Sequence, residues 1–165
     1  MKRFLMHVPF IGFLLCVIIL AAIMLNRFMY RDYHVPQLPP IATDSFDYQD
    51  ILENAPIVLN IFASWCGPCR SEHDELLVLK EHNIPVYGIV WNDTPAKINA
   101  FLAKAGDPYT QIGYDTNNSA IVPLGVKGLP ETFIVGKDGH ILHHHRGPLN
   151  DHYVHNVIVP VFKPK

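Results

Sequence analysis

Two cysteines separated by two residues, in Trp65-Cys66-Gly67-Pro68-Cys69, stand between an apolar β-branched run and a helical pattern, and that junction constrains the fold more than any other stretch. The run before it, Pro56-Ile57-Val58-Leu59-Asn60-Ile61-Phe62-Ala63, reads as a buried strand. The run after it, Arg70 to Leu79, reads as a helix. A helix start carries unpaired N–H groups and a partial positive charge, which stabilise a thiolate there. A lowered pKa makes Cys66 the attacking nucleophile. Cys69, one turn further in, is then placed to attack the mixed disulfide and release the partner. Other uses fit less well. A two-residue loop constrains the unfolded chain too little for a structural disulfide. A structural zinc site needs four ligands, and the sequence has no second C-x-x-C. Haem attachment calls for His directly after the second Cys, where Arg70 stands. The pair reads as a redox site.

The N-terminus is of a different kind. After Met1-Lys2-Arg3 there is no Lys, Arg, Asp or Glu until Arg27. Val8 to Leu25 is almost wholly apolar, about 18 residues or ~27 Å of helix, and flanking Phe28 and Met29 lengthen it enough to span a bilayer. Residues 1–7 are then a short cytoplasmic N-terminus and residues 8–29 an uncleaved transmembrane anchor. A cleaved signal peptide has a shorter apolar region and a small-x-small cleavage site. A lipoprotein reading of Cys16 meets bulky Leu15 where a small residue is wanted. Lys2 and Arg3 face Arg27 and Arg31 in the positive-inside count, a near tie that the free amino group tips towards N-in. That orientation puts the dithiol outside the cytoplasm. Cys16 belongs to the apolar run, so of the three cysteines one dithiol remains for the folded part, as in catalytic rather than scaffolding use. Formal net charge is -2, which gives no footing for nucleic acid.

Residues 30–45 hold Pro36, Pro39 and Pro40 and read as a semi-rigid tether, or else as an extended arm lying along the domain. Residues 46–165 form the domain. Asp44 to Asn54 is a short strand or helical turn leading into the core strand. Ile84 to Trp91 is a second buried strand, parallel to the first across a right-handed crossover. Asn92-Asp93-Thr94 offers N-caps for a helix with Pro95 at its first position, and Ile98, Phe101, Leu102 and Ala105 fall at helical spacing before Gly106. Gln111 to Tyr114 is a weak strand and Asn117 to Leu124 a brief helix. Glu131 to Val135 and His140 to His145 form a hairpin about Lys137-Asp138-Gly139. The tail from Asp151 to Phe162 closes as a helix expected to stop at Pro160. The order implies an α/β fold, a mixed sheet with helices on both faces.

Cys66-Gly67-Pro68-Cys69 on a strand-to-helix turn, with a later Leu129-Pro130-Glu131-Thr132-Phe133, resembles the thioredoxin superfamily. More narrowly the chain resembles the membrane-anchored thiol:disulfide interchange proteins of cytochrome c maturation, the DsbE/CcmG family. Leu59 to Cys66, Arg70-Ser71-Glu72-His73, Gly106-Asp107-Pro108-Tyr109, Gly125 to Phe133 and Arg146-Gly147-Pro148-Leu149-Asn150 carry that likeness. The resemblance implies a thioredoxin-like fold, a redox disulfide between Cys66 and Cys69 in place of any cofactor or metal, and a cis Pro130 facing the dithiol. It implies that Trp65, Gly67, Pro68, Leu129 and Pro130 form the surface that meets a partner's cysteine segment. Cytoplasmic thioredoxins commonly bury an Asp where Asn60 stands, and Asn cannot titrate; Glu131 is the available replacement as proton acceptor, with a pKa raised by burial, or else it caps the strand or contacts a basic partner. Trp65 packs beside the dithiol or is an ordinary core aromatic, and Arg70 favours the thiolate or is a surface residue.

The function implied is a periplasmic thiol:disulfide oxidoreductase of the inner membrane, reducing disulfides of apocytochrome c or of its assembly factors and recharged by a membrane thiol reductase. A general extracytoplasmic disulfide oxidase or isomerase shares the motif, and a copper metallochaperone is the alternative of another class. Histidines crowd the C-terminal third, but on a strand His143 and His145 point opposite to His144, so the three cannot converge on one ion.

Overall fold

The computed structural model describes residues 17–21, 24 and 37–163. Residues 17–21 and 24 are helical. Among the described residues no helix is long and apolar enough to cross a membrane. Most of the anchor expected at 8–29 lies outside the described residues, as do 1–7 and the first part of the proline-rich stretch.

From Gln37 onward the chain behaves as an arm rather than a spacer. Gln37 bridges His140, Leu38 N–H donates to Gly139 O (2.9 Å), and Leu38 and Ile41 are buried. Helix α1 (Tyr48–Asn54) follows, closed by a capping box in which Asp47 accepts from the Gln49 and Asp50 N–H groups while Asp50 accepts from the Asp47 N–H.

Strand β1 (Ile57–Phe62) has all six residues buried, as a run apolar at every position but Asn60 demands of a central strand. Next come α2 (Gly67–Ser71), α3 (His73–Glu81), β2 (Val86–Trp91), α4 (Pro95–Ala105), β3 (Gln111–Asp115), α5 (Ile121–Leu124), β4 (Glu131–Val135) and β5 (Ile141–Arg146). The sheet order is β3-β2-β1-β4-β5; β1–β2 and β2–β3 are parallel, β1–β4 and β4–β5 antiparallel. The mixed sheet carries two apolar clusters, one on each face. On one face lie Val58, Phe62, Cys66 and Cys69 with Leu76 and Leu79 of α3, Ile98 and Leu102 of α4 and Ile158. The other holds Leu59, Ile61, Phe133 and Val135 with Ile51 of α1, Leu124 of α5 and the arm.

Three local expectations are refined. The helix after the dithiol is broken at Glu72 (φ −90°, ψ −2°), which ends α2 and starts α3. The cap of α4 is Thr94, without a side-chain bond, while Asp93 accepts from Ser64 N–H at 2.7 Å and from Thr94 N–H at 2.8 Å. The closing helix runs past Pro160: α6 (Asp151–Tyr153) opens into a π-helical turn (Val154–Ile158) before α7 (Val159–Phe162). A π turn widens the spiral just where the proline ring would meet the preceding turn, so the helix continues. At the other end of α4, Gly106 adopts φ +92° and stops the helix as its sequence suggests.

Gly88 in β2 is required by space. A Cβ there would lie 2.8 Å from the rings of both Phe62 and Tyr109, which stack on each other with centroids 4.4 Å apart. Gly88→Ala is expected to lower the urea midpoint by the equivalent of ~2 kcal/mol with an unchanged m-value, the cost of overpacking; an unchanged midpoint would mean the stack yields freely.

Candidate active site

Strand β1 ends at Phe62, and the chain turns through Ala63-Ser64-Trp65 into α2. Cys66 is the N-cap of α2, extended at φ −79° and ψ 112°, and its Sγ accepts the Cys69 N–H at 3.1 Å. A cysteine in that position meets the orphan donors of the helix start directly. Cys66 and Cys69 form a disulfide with Cα atoms 5.3 Å apart, and both are buried. Gly67 and Pro68 are exposed on the turn, and a Cβ on Gly67 would meet nothing within 4 Å. Trp65 is 57% exposed, so it is no core aromatic; its Nε1 donates to Asn92 O at 3.0 Å, which lays the indole beside the turn. Arg70 donates through Nε and Nη2 to Ser64 O at 2.9 and 2.6 Å and lies over the Phe101 ring. It fastens the turn to the helix that follows. Trp65, Arg70, Lys97, Phe101 and Lys104 line an open cavity of about 600 Å³ along this flank.

The Leu129–Pro130 bond is cis, as the resemblance implies. In the β1–β4 register Ile61 pairs with Glu131, which sets Pro130 opposite Phe62, at the end of β1 from which the dithiol turn departs. Leu129 is half-buried and packs against both apolar clusters, at the junction of the two faces.

Glu131 does not stand where the sequence reading puts it. Its strand partner Ile61 belongs to the cluster on the far face, whereas Thr132, one residue on, bonds Asn60 on the dithiol face. Period-two alternation therefore turns Glu131 away from Cys69. Its expected rise in pKa is reversed as well. Burial alone pushes the carboxyl up, but the His144 hydrogen bond, the Lys127 N–H and the charges of His144 and Arg146 outweigh that and hold it below the ordinary value.

The acid on the dithiol face is Glu72. It is fully buried, one turn past Cys69; Oε1 accepts from Asn60 Nδ2 at 2.9 Å and Oε2 from Leu149 N–H at 2.7 Å. Asn60 thus orients a carboxylate instead of supplying one. Its own Oδ1 accepts from Tyr109 Oη at 3.0 Å, and its Nδ2 also donates to Thr132 Oγ1 at 3.0 Å. Burial raises the Glu72 pKa from an ordinary 4.5 to about 7, against the pull of the Leu149 and Asn60 hydrogen bonds. Burial, and then the nearby Glu72 and Asp107, push Tyr109 well above its usual value and keep it a donor. A periodicity signal for Glu72 exists. Cys69, Glu72, His73 and Leu76 fall at i, i+3, i+4 and i+7, so the acid sits on the apolar stripe of the helical run. Neighbouring His73 is buried too, with Nε2 at 3.0 Å from Gly106 O.

The Redoxin family profile matches residues 41–158. The chain is 39% identical over 126 residues to the thiol:disulfide interchange protein HelX of Rhodobacter capsulatus, spanning 76% of this chain and 72% of that one. It is 45% identical over 103 residues to the thiol:disulfide interchange protein DsbE of Allochromatium vinosum, spanning 62% of this chain and 57% of the relative. Among solved structures, a secreted thiol-disulfide isomerase of Corynebacterium glutamicum superposes with a TM-score of 0.62 at 26% identity, over 76% of this chain and 84% of that one.

Glu72 leaves a mark on stability. Its folded pKa lies above its unfolded one, so the folded state binds more protons between about 4.5 and 7. The stability it contributes is full below the unfolded value and lost as pH rises through 7. Glu72→Gln is expected to remove a decline on the order of 3 kcal/mol between pH 4.5 and 8 from urea-derived stability. A decline of equal slope in the variant would mean that another group titrates there.

Proposed function

Because the chain belongs to the Redoxin family, in its DsbE/CcmG thiol:disulfide interchange branch, and is a thiol-disulfide oxidoreductase, we propose that it is the periplasmic reductant of apocytochrome c or of the assembly factors that handle it. The observation that carries this reading is the Cys66–Cys69 pair at a helix N-terminus, with the first sulfur accepting a backbone N–H and a buried acid one helical turn past the second. In the reduced protein the Cys66 thiolate attacks one sulfur of the partner disulfide. A mixed disulfide forms and the partner's other sulfur leaves as thiolate. Cys69 passes its proton to Glu72 and attacks Cys66 Sγ. The Cys66–Cys69 bond forms, the partner's second sulfur departs, and the proton returns to a released thiolate. Glu72, with a pKa near 7, is suited to take a proton from a thiol and give it back.

Leu129 and the cis Pro130 provide the backbone surface on which a partner's extended cysteine segment pairs, with Trp65, Gly67 and Pro68 as its other side. The substrate follows from chemistry: haem attachment to a Cys-x-x-Cys-His segment consumes free thiols, and an oxidising compartment keeps turning them into disulfides. Residues 8–29 anchor the protein in the inner membrane with residues 1–7 inside and the domain in the periplasm, where a membrane thiol reductase restores the dithiol.

Cys69→Ala leaves the mixed disulfide unresolved. Purified from cells maturing c-type cytochromes, this variant is expected to carry an apocytochrome c or an assembly factor through Cys66, released by dithiothreitol; recovery of unrelated secreted proteins alone would point to a general oxidoreductase. Protease added to spheroplasts is expected to remove the domain while cytoplasmic markers survive, and full protection would reverse the orientation.

A further inference from the structure

The histidine run of β5 is absorbed by neither the dithiol nor its acid, yet one member is built into the interior. In the β4–β5 register His144 faces Phe133 and Arg146 faces Glu131. The His144 ring stacks on Phe133 with centroids 4.0 Å apart, an interplanar angle of 16° and its side chain 2% exposed. From there it reaches the diagonal neighbour, Nε2 lying 2.7 Å from Glu131 Oε2, while Arg146 Nε stands at 3.7 Å. The other oxygen of Glu131 accepts the N–H groups of Lys127 (2.8 Å) and Gly128 (3.2 Å). Those amides belong to the loop that ends in Leu129 and Pro130. Just beyond β5, Gly147 N–H donates to Pro130 O at 2.9 Å. The end of β5 therefore grips the loop at two places: its backbone holds Pro130 directly, and its one buried histidine holds Lys127 and Gly128 through Glu131.

We propose that His144 is a positioning residue for partner docking, which through Glu131 fixes the Lys127–Leu129 backbone in the form that pairs with a partner's peptide segment. This rests on the reading that Leu129 and Pro130 receive that segment. A charge-assisted bond between two desolvated side chains is geometrically strict, and a carboxylate already engaged by His144 cannot swing out and release the two loop amides. Without the imidazole donor, Oε2 of Glu131 is left to the partly exposed Arg146 at 3.7 Å, and the loop samples other conformations. A partner must then select the competent one and binds more weakly by that fraction. Chemistry at Cys66 and Cys69, on the opposite face of the sheet, is unaffected.

The test compares two disulfides in single turnovers of the pre-reduced full-length protein: a synthetic peptide closed by a Cys-x-x-Cys disulfide, and 2-hydroxyethyl disulfide, which has no backbone to pair. His144→Phe keeps a ring on Phe133 and deletes the donor. It is expected to raise the half-saturating peptide concentration about tenfold at nearly unchanged maximal rate, and to leave the rate on 2-hydroxyethyl disulfide as in the wild type. His144→Gln, which retains a donor, is expected to restore peptide saturation to within about threefold. His144→Asn, too short to reach Glu131, should behave as His144→Phe and stands in for it if that variant does not fold. Equal losses on both disulfides, an unchanged half-saturating concentration, or no rescue by Gln would overturn the assignment. A wild-type protein inert towards both would bring down the oxidoreductase reading along with it.

Discussion

All six residues of β1 are buried, and their alternation sorts the interior into two chemistries. Val58, Asn60 and Phe62 look towards the dithiol; Ile57, Leu59 and Ile61 look towards the arm and α1. Because β4 pairs with β1 in register, it inherits the same division: Thr132 joins Asn60, and Glu131 joins Ile61. A shift of one residue would exchange the two sets entirely. The acid behind Cys69 and the clamp on the loop before Pro130 both depend on that register being held.

On the dithiol face the constraint is a carboxylate taken out of water. Leaving Glu72 without partners would cost far more than the fold can spare, so both oxygens are engaged, one by a side chain and one by a backbone amide. Asn60 is the hub. It meets Glu72, Thr132 and Tyr109 at once, and Tyr109 in turn stacks on Phe62 over the missing side chain of Gly88. The network is satisfied but not neutralised, since no cation is among these partners, and burial consequently wins over the hydrogen bonds. On the other face the balance is opposite. Glu131 has His144 and Arg146 beside it and two amides besides, and its carboxyl is held low. Two buried acids, three residues past Cys69 and one past Pro130, thus carry opposite protonation tendencies at neutral pH.

Much of the architecture could be read along the chain. The C-x-x-C at the strand-to-helix turn, the parallel pair flanking it, the α4 helix between Pro95 and Gly106 and the β4–β5 hairpin are local patterns, and each has a local cause in apolar periodicity, capping or turn residues. Alternation even separated His144 from His143 and His145: His145 rests on Tyr153 at 4.3 Å on the dithiol side, while His144 stacks on Phe133 on the other. The refinements came from what residue patterns do not carry. Asp93 bonds Ser64, a π turn takes the last helix through Pro160, and of the two readings of the proline-rich stretch it is the arm that holds from Gln37, beside the β-hairpin turn.

Two cysteines at one helix start, a central β1 and a loop ending in Leu129-Pro130-Glu131 can be read from the chain alone. These follow from residue type and spacing over a few positions, because helix and strand periods act within a segment. Which acid serves the dithiol was decided only in three dimensions. Nearness of Glu131 to Pro130 along the chain says nothing of the side of the sheet it faces, since one residue reverses it, and that side is set by pairing with a strand some seventy residues earlier. The burial that raises Glu72 likewise exists only in the fold, where partners distant in sequence, Asn60 and the Leu149 amide, bond its oxygens and pull the pKa back only part of the way. A pKa belongs to the environment, and the environment exists only after the chain has folded.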